Sequence, residues 1–408
     1  MFWVVEKMKD ILIFSQAMEI GGAERALLGL LENIDTTKYK VDLFLMRHQG
    51  ELMKYIPDSV NLLPELPQYA SLAVPITNVL KKGQVRVALE RLIGKQKAKK
   101  RVQDLGLPQD NDVALEYSHK YTVNAMPRIG HKGKKYDLAV SFLTPHYFVA
   151  EKVAAKKKIA WIHTDYSVVA VDRESQLDMW GRYDAIASIS DKVTYSFVKT
   201  FPELKEKVQI IQNIMPTKYM EALKNEFGVE DEMPSHGCIK LLSIGRFCTA
   251  KNFDNVPMIC KLIRDKGLDV KWYLIGYGGD EELIKSKIAE AGMQQYVIML
   301  GKKENPYPYI RACDIYVQPS RYEGKCVSVI EAQILNKPVV ITNYATANSQ
   351  LVDGVDGIIV PLDNEGCATA IENLIRDVEL KKQLIENTKQ HDYTYLGEVR
   401  KIYQIIES

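Results

Sequence analysis

Apolar residues along the chain follow two alternating rhythms: short continuous runs, and longer stretches with apolar side chains three and four positions apart. Runs at 10–15 (Asp-Ile-Leu-Ile-Phe-Ser), 41–47, 60–63, 136–142, 158–166, 183–190 and 208–213 read as strands. Between the first two, Ala26, Leu27, Leu30, Leu31 and Ile34 mark a helix. A second series of runs follows at 240–246, 270–276, 296–301, 314–318, 337–342 and 352–360, with helical spacing at 379–389 and 396–406. Strands that are apolar throughout and alternate with helices are the mark of parallel sheets covered on both faces, the α/β class. From 214 to 237 the chain turns polar and is punctuated by Pro216, Pro234 and Gly237, which reads as a linker. The expected organisation is a first domain at 1–213, a linker at 214–237, a second domain at 238–390, and a closing helical segment at 391–408.

Length agrees with this division, since 408 residues exceed one compact core and suit two. The charges nearly cancel, with 54 Lys and Arg against 52 Asp and Glu, so net charge names no partner. Six cysteines all lie in the second half without a C-x-x-C pair; this excludes a zinc framework of that type and reads as reduced thiols, hence a cytoplasmic chain. No apolar run is long enough to span a bilayer, and the opening Met1–Val5 segment is too short for a signal-peptide core, which leaves Met8 as the expected start of the fold.

The distribution of charge says more than its sum. Lys81, Lys82, Arg86, Arg91, Lys95, Lys97, Lys99, Lys100 and Arg101 face a single acid, Glu90, among Val79, Leu80, Val87, Leu89, Leu92 and Ile93. A basic amphipathic helix of this kind is a candidate for an anionic membrane surface, with a solvated helical face as the alternative. Nucleic acid fits less well, because no aromatic platform is interleaved with the cations. Asp110-Asn111-Asp112 has the outline of a D-x-D metal motif but follows Pro108 with no adjacent strand, so it reads as turn chemistry.

Candidate chemistry centres on Ser320-Arg321-Tyr322-Glu323-Gly324-Lys325-Cys326-Val327-Ser328-Val329-Ile330-Glu331-Ala332. Val327, Ile330, Ile334 and Leu335 set a helix starting near Cys326, with Glu323 on the loop before it and Glu331 within it. A helix N-terminus between two carboxylates suits a diphosphate. Earlier, Gly21-Gly22-Ala23-Glu24-Arg25 joins a strand to a helix, either as a backbone approach to a ligand or as a tight turn. His163 follows a strand end, where open α/β sheets bind ligands. Arg246 and Lys251 follow another, a planar fork and a mobile point charge for phosphate oxygens.

Together these segments resemble the retaining GT-B glycosyltransferases of glycosyltransferase family 4, whose signature is E-x7-E, here Glu323 to Glu331. The resemblance runs over nearly the whole chain and is most specific from Ser243 to Val360. It implies two Rossmann-like domains facing each other across a cleft, with the last helix crossing back to the first. It implies transfer of a hexose-type sugar from a nucleoside-diphosphate donor, UDP- or GDP-linked, to a saccharide or lipid-linked acceptor, with no metal or other cofactor. By the same resemblance Glu323 and His163 orient hexose hydroxyls, Arg246 and Lys251 clamp the diphosphate, and Glu331 holds the ribose. Gly21, Gly22, Lys302, Gly324, Lys325, Cys326 and Val327 complete the donor contacts, Lys302 beside the base. Where the family commonly reads Glu-Gly-Phe-Gly, this chain reads Glu323-Gly324-Lys325-Cys326, which leaves the sugar open. Nucleotide-sugar 2-epimerases share the fold, and a non-catalytic nucleotide-sugar sensor is a third reading.

Overall fold

The computed structural model describes residues 8–108, 111–234 and 237–408; the Met1–Val5 segment and Asp110 of the D-x-D outline lie outside them. Two compact units emerge, one comprising Met1–Ile214 with Leu396–Ser408, the other Met215–Tyr395.

In the first unit seven strands, β1 (Lys9–Ser15), β2 (Tyr39–Leu45), β3 (Val60–Leu62), β4 (Tyr136–Ser141), β5 (Ala155–Ile162), β6 (Ala185–Ser188) and β7 (Val208–Ile210), form a parallel sheet of order β3-β2-β1-β4-β5-β6-β7. In the second, β8 (Ile239–Ile244), β9 (Val270–Ile275), β10 (Val297–Gly301), β11 (Ile315–Gln318), β12 (Val339–Thr342) and β13 (Ile358–Val360) form a parallel sheet of order β10-β9-β8-β11-β12-β13. Each sheet reverses its winding once, between β1 and β4 and between β8 and β11, and such a switch opens a crevice at the strands' carboxyl ends.

The cores follow from the apolar patterns. Around the second sheet, Val256, Ile259, Cys260 and Ile263 sit at helical spacing on one face of Val256–Asp265 and pack with Leu241, Trp272 and Val317. Each fully buried aliphatic side chain contributes about 1.5–3 kcal/mol over remaining in water.

The stretch expected as a linker is instead packed onto the second unit. The helix Thr217–Leu223 buries Tyr219, Met220 and Leu223, and the Leu223 carbonyl accepts a hydrogen bond from Asn305 Nδ2 at 2.8 Å. Pro216 stands just before that helix, where its missing N–H costs nothing, and so starts it instead of breaking it. The second unit runs from Met215 to Tyr395, beyond the expected limits of 238 and 390. The closing segment packs on the first unit, where Tyr403 stacks on Tyr39 with centroids 4.4 Å apart and accepts the Asp35 N–H at 2.7 Å.

The basic region of the first unit folds as Ile76–Lys81 and Val85–Leu105. Gly94 lets the longer helix lie against Val113–Thr122, since a Cβ there would stand 2.7 Å from the Tyr117 carbonyl oxygen. Two of the nine cations are turned inward, contrary to the expectation of one basic face: Arg91 donates to the Ser71 and Val74 carbonyls at 3.0 and 2.7 Å, and Arg101 donates to Asp172 at 2.8 Å. Both carry a planar fork able to satisfy buried acceptors, which an ammonium does less well.

Candidate active site

In the second unit the switch between β8 and β11 brings two loops together. The β8 strand delivers Gly245 and Arg246, after which Thr249–Lys251 makes a single 3-10 turn closed by Asn252 at φ 59°. Asparagine is among the few residues besides glycine that adopt this left-handed conformation readily. Its side chain donates to the Pro319 carbonyl at 2.9 Å, just past β11. Arg321 adds a backbone bond to the Ala250 carbonyl at 2.8 Å and a forked ion pair with Asp254 at 2.9 and 2.7 Å. The two loops therefore hold one shape.

On that frame Lys251 reaches Glu323, Nζ to Oε1 at 2.6 Å, with Cys326 Sγ 3.7 Å from the ammonium. The lysine crosses Gly245, where a Cβ would come within 2.9 Å of its Cε. Burial works against the ammonium charge, but the Glu323 carboxylate beside it outweighs burial and holds it protonated above its usual range. Burial, followed by the Glu323 charge, pushes the Cys326 thiol up, so it is a neutral neighbour and no nucleophile. Arg246 is exposed and has no hydrogen bond or ion pair among the described residues.

Behind Glu323 stands a polar relay that sequence reasoning missed. Ser320 donates to Glu323 Oε1 at 2.6 Å and accepts from Gln318 Nε2 at 2.9 Å, while the Tyr316 hydroxyl lies 2.8 Å from both Gln318 Oε1 and Ser328 Oγ. Thr346 donates to the Glu323 carbonyl at 2.8 Å. The signal was present: Tyr316, Gln318 and Ser320 alternate, and polar side chains on one face of a buried strand need partners.

Three expectations change. Glu331 lies in the helix Val327–Ile334 but is fully buried, with Tyr307 donating to its Oε1 at 2.9 Å, so it does not line an open surface. The Cys326 N–H, expected free for a diphosphate, donates to Gln350 Oε1 at 2.7 Å. Lys325 leans on Tyr395, its ammonium 4.4 Å from the ring centroid and 3.3 Å from the hydroxyl. Lys302 stands past β10 with its ammonium 5.0 Å from the Tyr277 ring centroid. Gly324 precedes these residues on the same loop, and Val327 opens the helix.

The first unit has its own set at its own switch. Gly21 caps the helix Gly22–Asn33 just past β1, with Gly22 exposed at its first turn. Gln16, also past β1, donates to the Thr144 carbonyl past β4 at 2.8 Å. His163 directly follows β5 and borders a cavity of about 250 Å³ lined also by Glu116, Leu143, Thr144, Trp161 and Gln176. Burial pushes His163 down to about 4, so its ring is neutral near pH 7, and its Nε2 has no partner among the described residues. A neutral imidazole offers a hydrogen bond without a charge, which suits a hydroxyl. Burial also raises Glu116, whose Oε1 accepts from Tyr147 at 2.8 Å. Among the described residues no group of three His, Cys, Asp or Glu is arranged to hold a metal ion.

Residues 231–391 match the family model described as glycosyl transferases group 1. An uncharacterized glycosyltransferase of Methanocaldococcus jannaschii is 26% identical over 290 residues, 65% of this chain and 81% of that protein. A Campylobacter jejuni N-acetylgalactosaminyltransferase, named for a diphospho-undecaprenol-linked saccharide, is 26% identical over 144 residues, 35% of this chain and 39% of that protein. Among solved structures, Anabaena HepE in complex with UDP and glucose superposes with a TM-score of 0.67 at 15% identity, covering 98% of this chain and 100% of that one. The fold is GT-B, two parallel-sheet α/β units of Rossmann type, and these similarities support a glycosyltransferase.

Proposed function

We propose that the protein is a retaining, metal-independent hexosyltransferase of the family 4 type. It takes a sugar from a nucleoside-diphosphate donor, UDP-linked in preference to GDP-linked. The acceptor is a saccharide or lipid-linked saccharide in cell-envelope polysaccharide or glycolipid synthesis, met at the cytoplasmic face of the membrane. One observation carries this reading: the second sheet's switch presents an exposed Arg246, unpaired among the described residues, and a cationic Lys251 beside Glu323, on loops tied together by Asn252 and Arg321.

The bond from the anomeric carbon to the diphosphate breaks and a bond to the acceptor hydroxyl oxygen forms. Negative charge grows on the leaving diphosphate, and fixed cations lower that barrier because they are oriented before the charge develops. Arg246 and Lys251 supply them. The acceptor proton leaves with the diphosphate oxygen on the same face of the sugar, which retains the anomeric configuration. Glu323, held by Ser320 and Lys251, and the neutral His163 are assigned to hexose hydroxyls; the ribose role that the resemblance gives Glu331 requires Tyr307 to yield its place on that buried carboxylate.

The test is a screen of UDP- and GDP-hexoses by calorimetry, followed by transfer assays with saccharide and lipid-linked acceptors. Product configuration is read by NMR, with and without EDTA. A retained configuration and unchanged rates in EDTA are expected. An inverted product contradicts the mechanism, and loss of activity in EDTA contradicts metal independence. Isomerisation of the donor alone identifies an epimerase, and tight donor binding without turnover identifies a sensor.

A further inference from the structure

The outward face of the helix Val85–Leu105 is not what a helix packed on its parent fold ordinarily shows. Its buried positions are Val87, Ala88, Gly94 and Ala98. Val85, Leu89 and Leu92 point the other way and are 61%, 56% and 44% exposed. At spacings of four and three they fall within about 60° of arc, a stripe continuous with the buried face of no neighbour. Leu80, 46% exposed on the preceding short helix, adds a fourth apolar side chain near the stripe's start in sequence.

Cations flank this stripe. Lys99 and Lys100 continue its line toward the helix C-terminus, with Arg86 and Lys95 at its shoulders, and none of the four has a carboxylate partner among the described residues. Arg86 also shares its surroundings with Arg128 and Lys152, and the Lys152 ammonium is held below its usual range by burial and by those two like charges. Several lysines of this unit outside the helix are engaged internally: Lys134 pairs with Asp10 and Asp42 at 2.9 and 3.0 Å, Lys156 with Asp137 at 2.6 Å, and Lys158 donates to the Ala150 carbonyl at 2.6 Å. Of the acids on the helix, Glu90 is half-buried and Asp104 lies in the last turn.

We propose that this face docks the protein on an anionic lipid bilayer, with Val85, Leu89 and Leu92 entering the acyl boundary and Arg86, Lys95, Lys99 and Lys100 meeting headgroup phosphates. An amphipathic helix with an apolar stripe and basic flanks lies in the interface plane in this way. A purely electrostatic partner would leave the exposed leucines in water. Pairing of two copies through this face would set like charges against each other. No helix among the described residues is long and apolar enough to cross a membrane, so surface docking is the contact this element can make. The inference deepens the reading of a lipid-linked acceptor, for which it supplies the route to the substrate.

The experiment is co-sedimentation of the full chain with vesicles, either phosphatidylcholine alone or with about a third phosphatidylglycerol, at about 0.1 and 0.5 M salt. Binding to the anionic vesicles is expected at low salt and should fall about tenfold or more at high salt. L89S/L92S and K95Q/K99Q/K100Q should each weaken binding by about tenfold or more while leaving the unfolding temperature unchanged, since all five side chains are exposed. A Leu89→Trp reporter should be quenched by brominated acyl chains. Absence of binding, equal binding by L89S/L92S, or a dimer by ultracentrifugation that L89S/L92S dissolves would each overturn the proposal. Vesicle binding requires no turnover, so its failure is distinct from failure to transfer sugar to a soluble acceptor.

Discussion

Lys251 and Glu323, 72 residues apart in the chain, form a partly buried ion pair at 2.6 Å across the switch between β8 and β11. The cation assigned to the diphosphate is therefore already engaged by the acid assigned to the sugar. Ser320 donates to the same Oε1, so the carboxylate would keep a partner when an arriving phosphate shares Lys251.

Lys251→Ala removes both the phosphate cation and the partner of Glu323. Turnover is expected to fall by roughly 10²–10³, the range seen when a fixed electrostatic contact to a developing charge is lost. Stability should fall as well, by up to about 3 kcal/mol, because a partly buried carboxylate is left unpaired. Glu323→Gln leaves Lys251 charged and should spare nucleotide affinity while lowering turnover. Calorimetry with UDP alongside transfer assays separates the two variants.

Arg246 offers the cleaner test of phosphate recognition. It is exposed and unpaired among the described residues, so Arg246→Ala should leave the unfolding midpoint within about 0.5 kcal/mol of the parent. Donor affinity should nonetheless drop about tenfold, and Arg246→Lys should recover only part of it, since an ammonium lacks the planar fork. An unchanged donor KM would remove Arg246 from the site.

Glu331 is more deeply set than its expected role required. Glu331→Ala should cost about 1–3 kcal/mol, because the Tyr307 hydroxyl loses its acceptor in a dry environment. Glu331→Gln keeps an acceptor for Tyr307 and isolates the ribose contact. If the carboxylate holds the ribose, this variant should lose the preference for UDP over its 2′- and 3′-deoxy analogues. Comparison of the three nucleotides by calorimetry reads this directly.

The first unit should be acid-sensitive. Burial pushes His119 and His146 down to about 3 and His163 to about 4, whereas in the unfolded chain a histidine titrates near 6.5. Below about pH 6.5 the unfolded state binds protons that the folded state refuses, so stability is full above that pH and is lost as pH falls toward 4. Each histidine contributes a slope of up to about 1.4 kcal/mol per pH unit. Urea unfolding followed through Trp161 and Trp180 at pH 7 and pH 5.5 should show the loss, and His119→Gln should reduce it by about one third.

Much of this was legible in the sequence, because a strand buried on both faces in a parallel sheet is an uninterrupted apolar run. Val270–Ile275 and Ile315–Gln318 stood out for that reason, as did Glu323 and Lys251 just past strand ends. The 214–237 stretch misled because its prolines overshadowed Tyr219, Met220 and Leu223, whose spacing marks one short helical face. Contacts made only in three dimensions stayed hidden. Nothing local to Tyr307 or Gln350 indicates that one would cap Glu331 and the other occupy the Cys326 N–H. Nor does composition show which of nine cations turn inward; Arg91 and Arg101 do so because carbonyls and carboxylates await them there.

The central claim is that Arg246 and Lys251 of the second unit grip a nucleoside diphosphate. Calorimetric titration of UDP and of UMP into the full chain and into Arg246→Ala tests it most directly. UDP should bind at least about tenfold more tightly than UMP to the parent, and the difference should collapse in the variant. Equal affinities for the two nucleotides in the parent, or a preference for UDP that survives Arg246→Ala undiminished, would contradict the account.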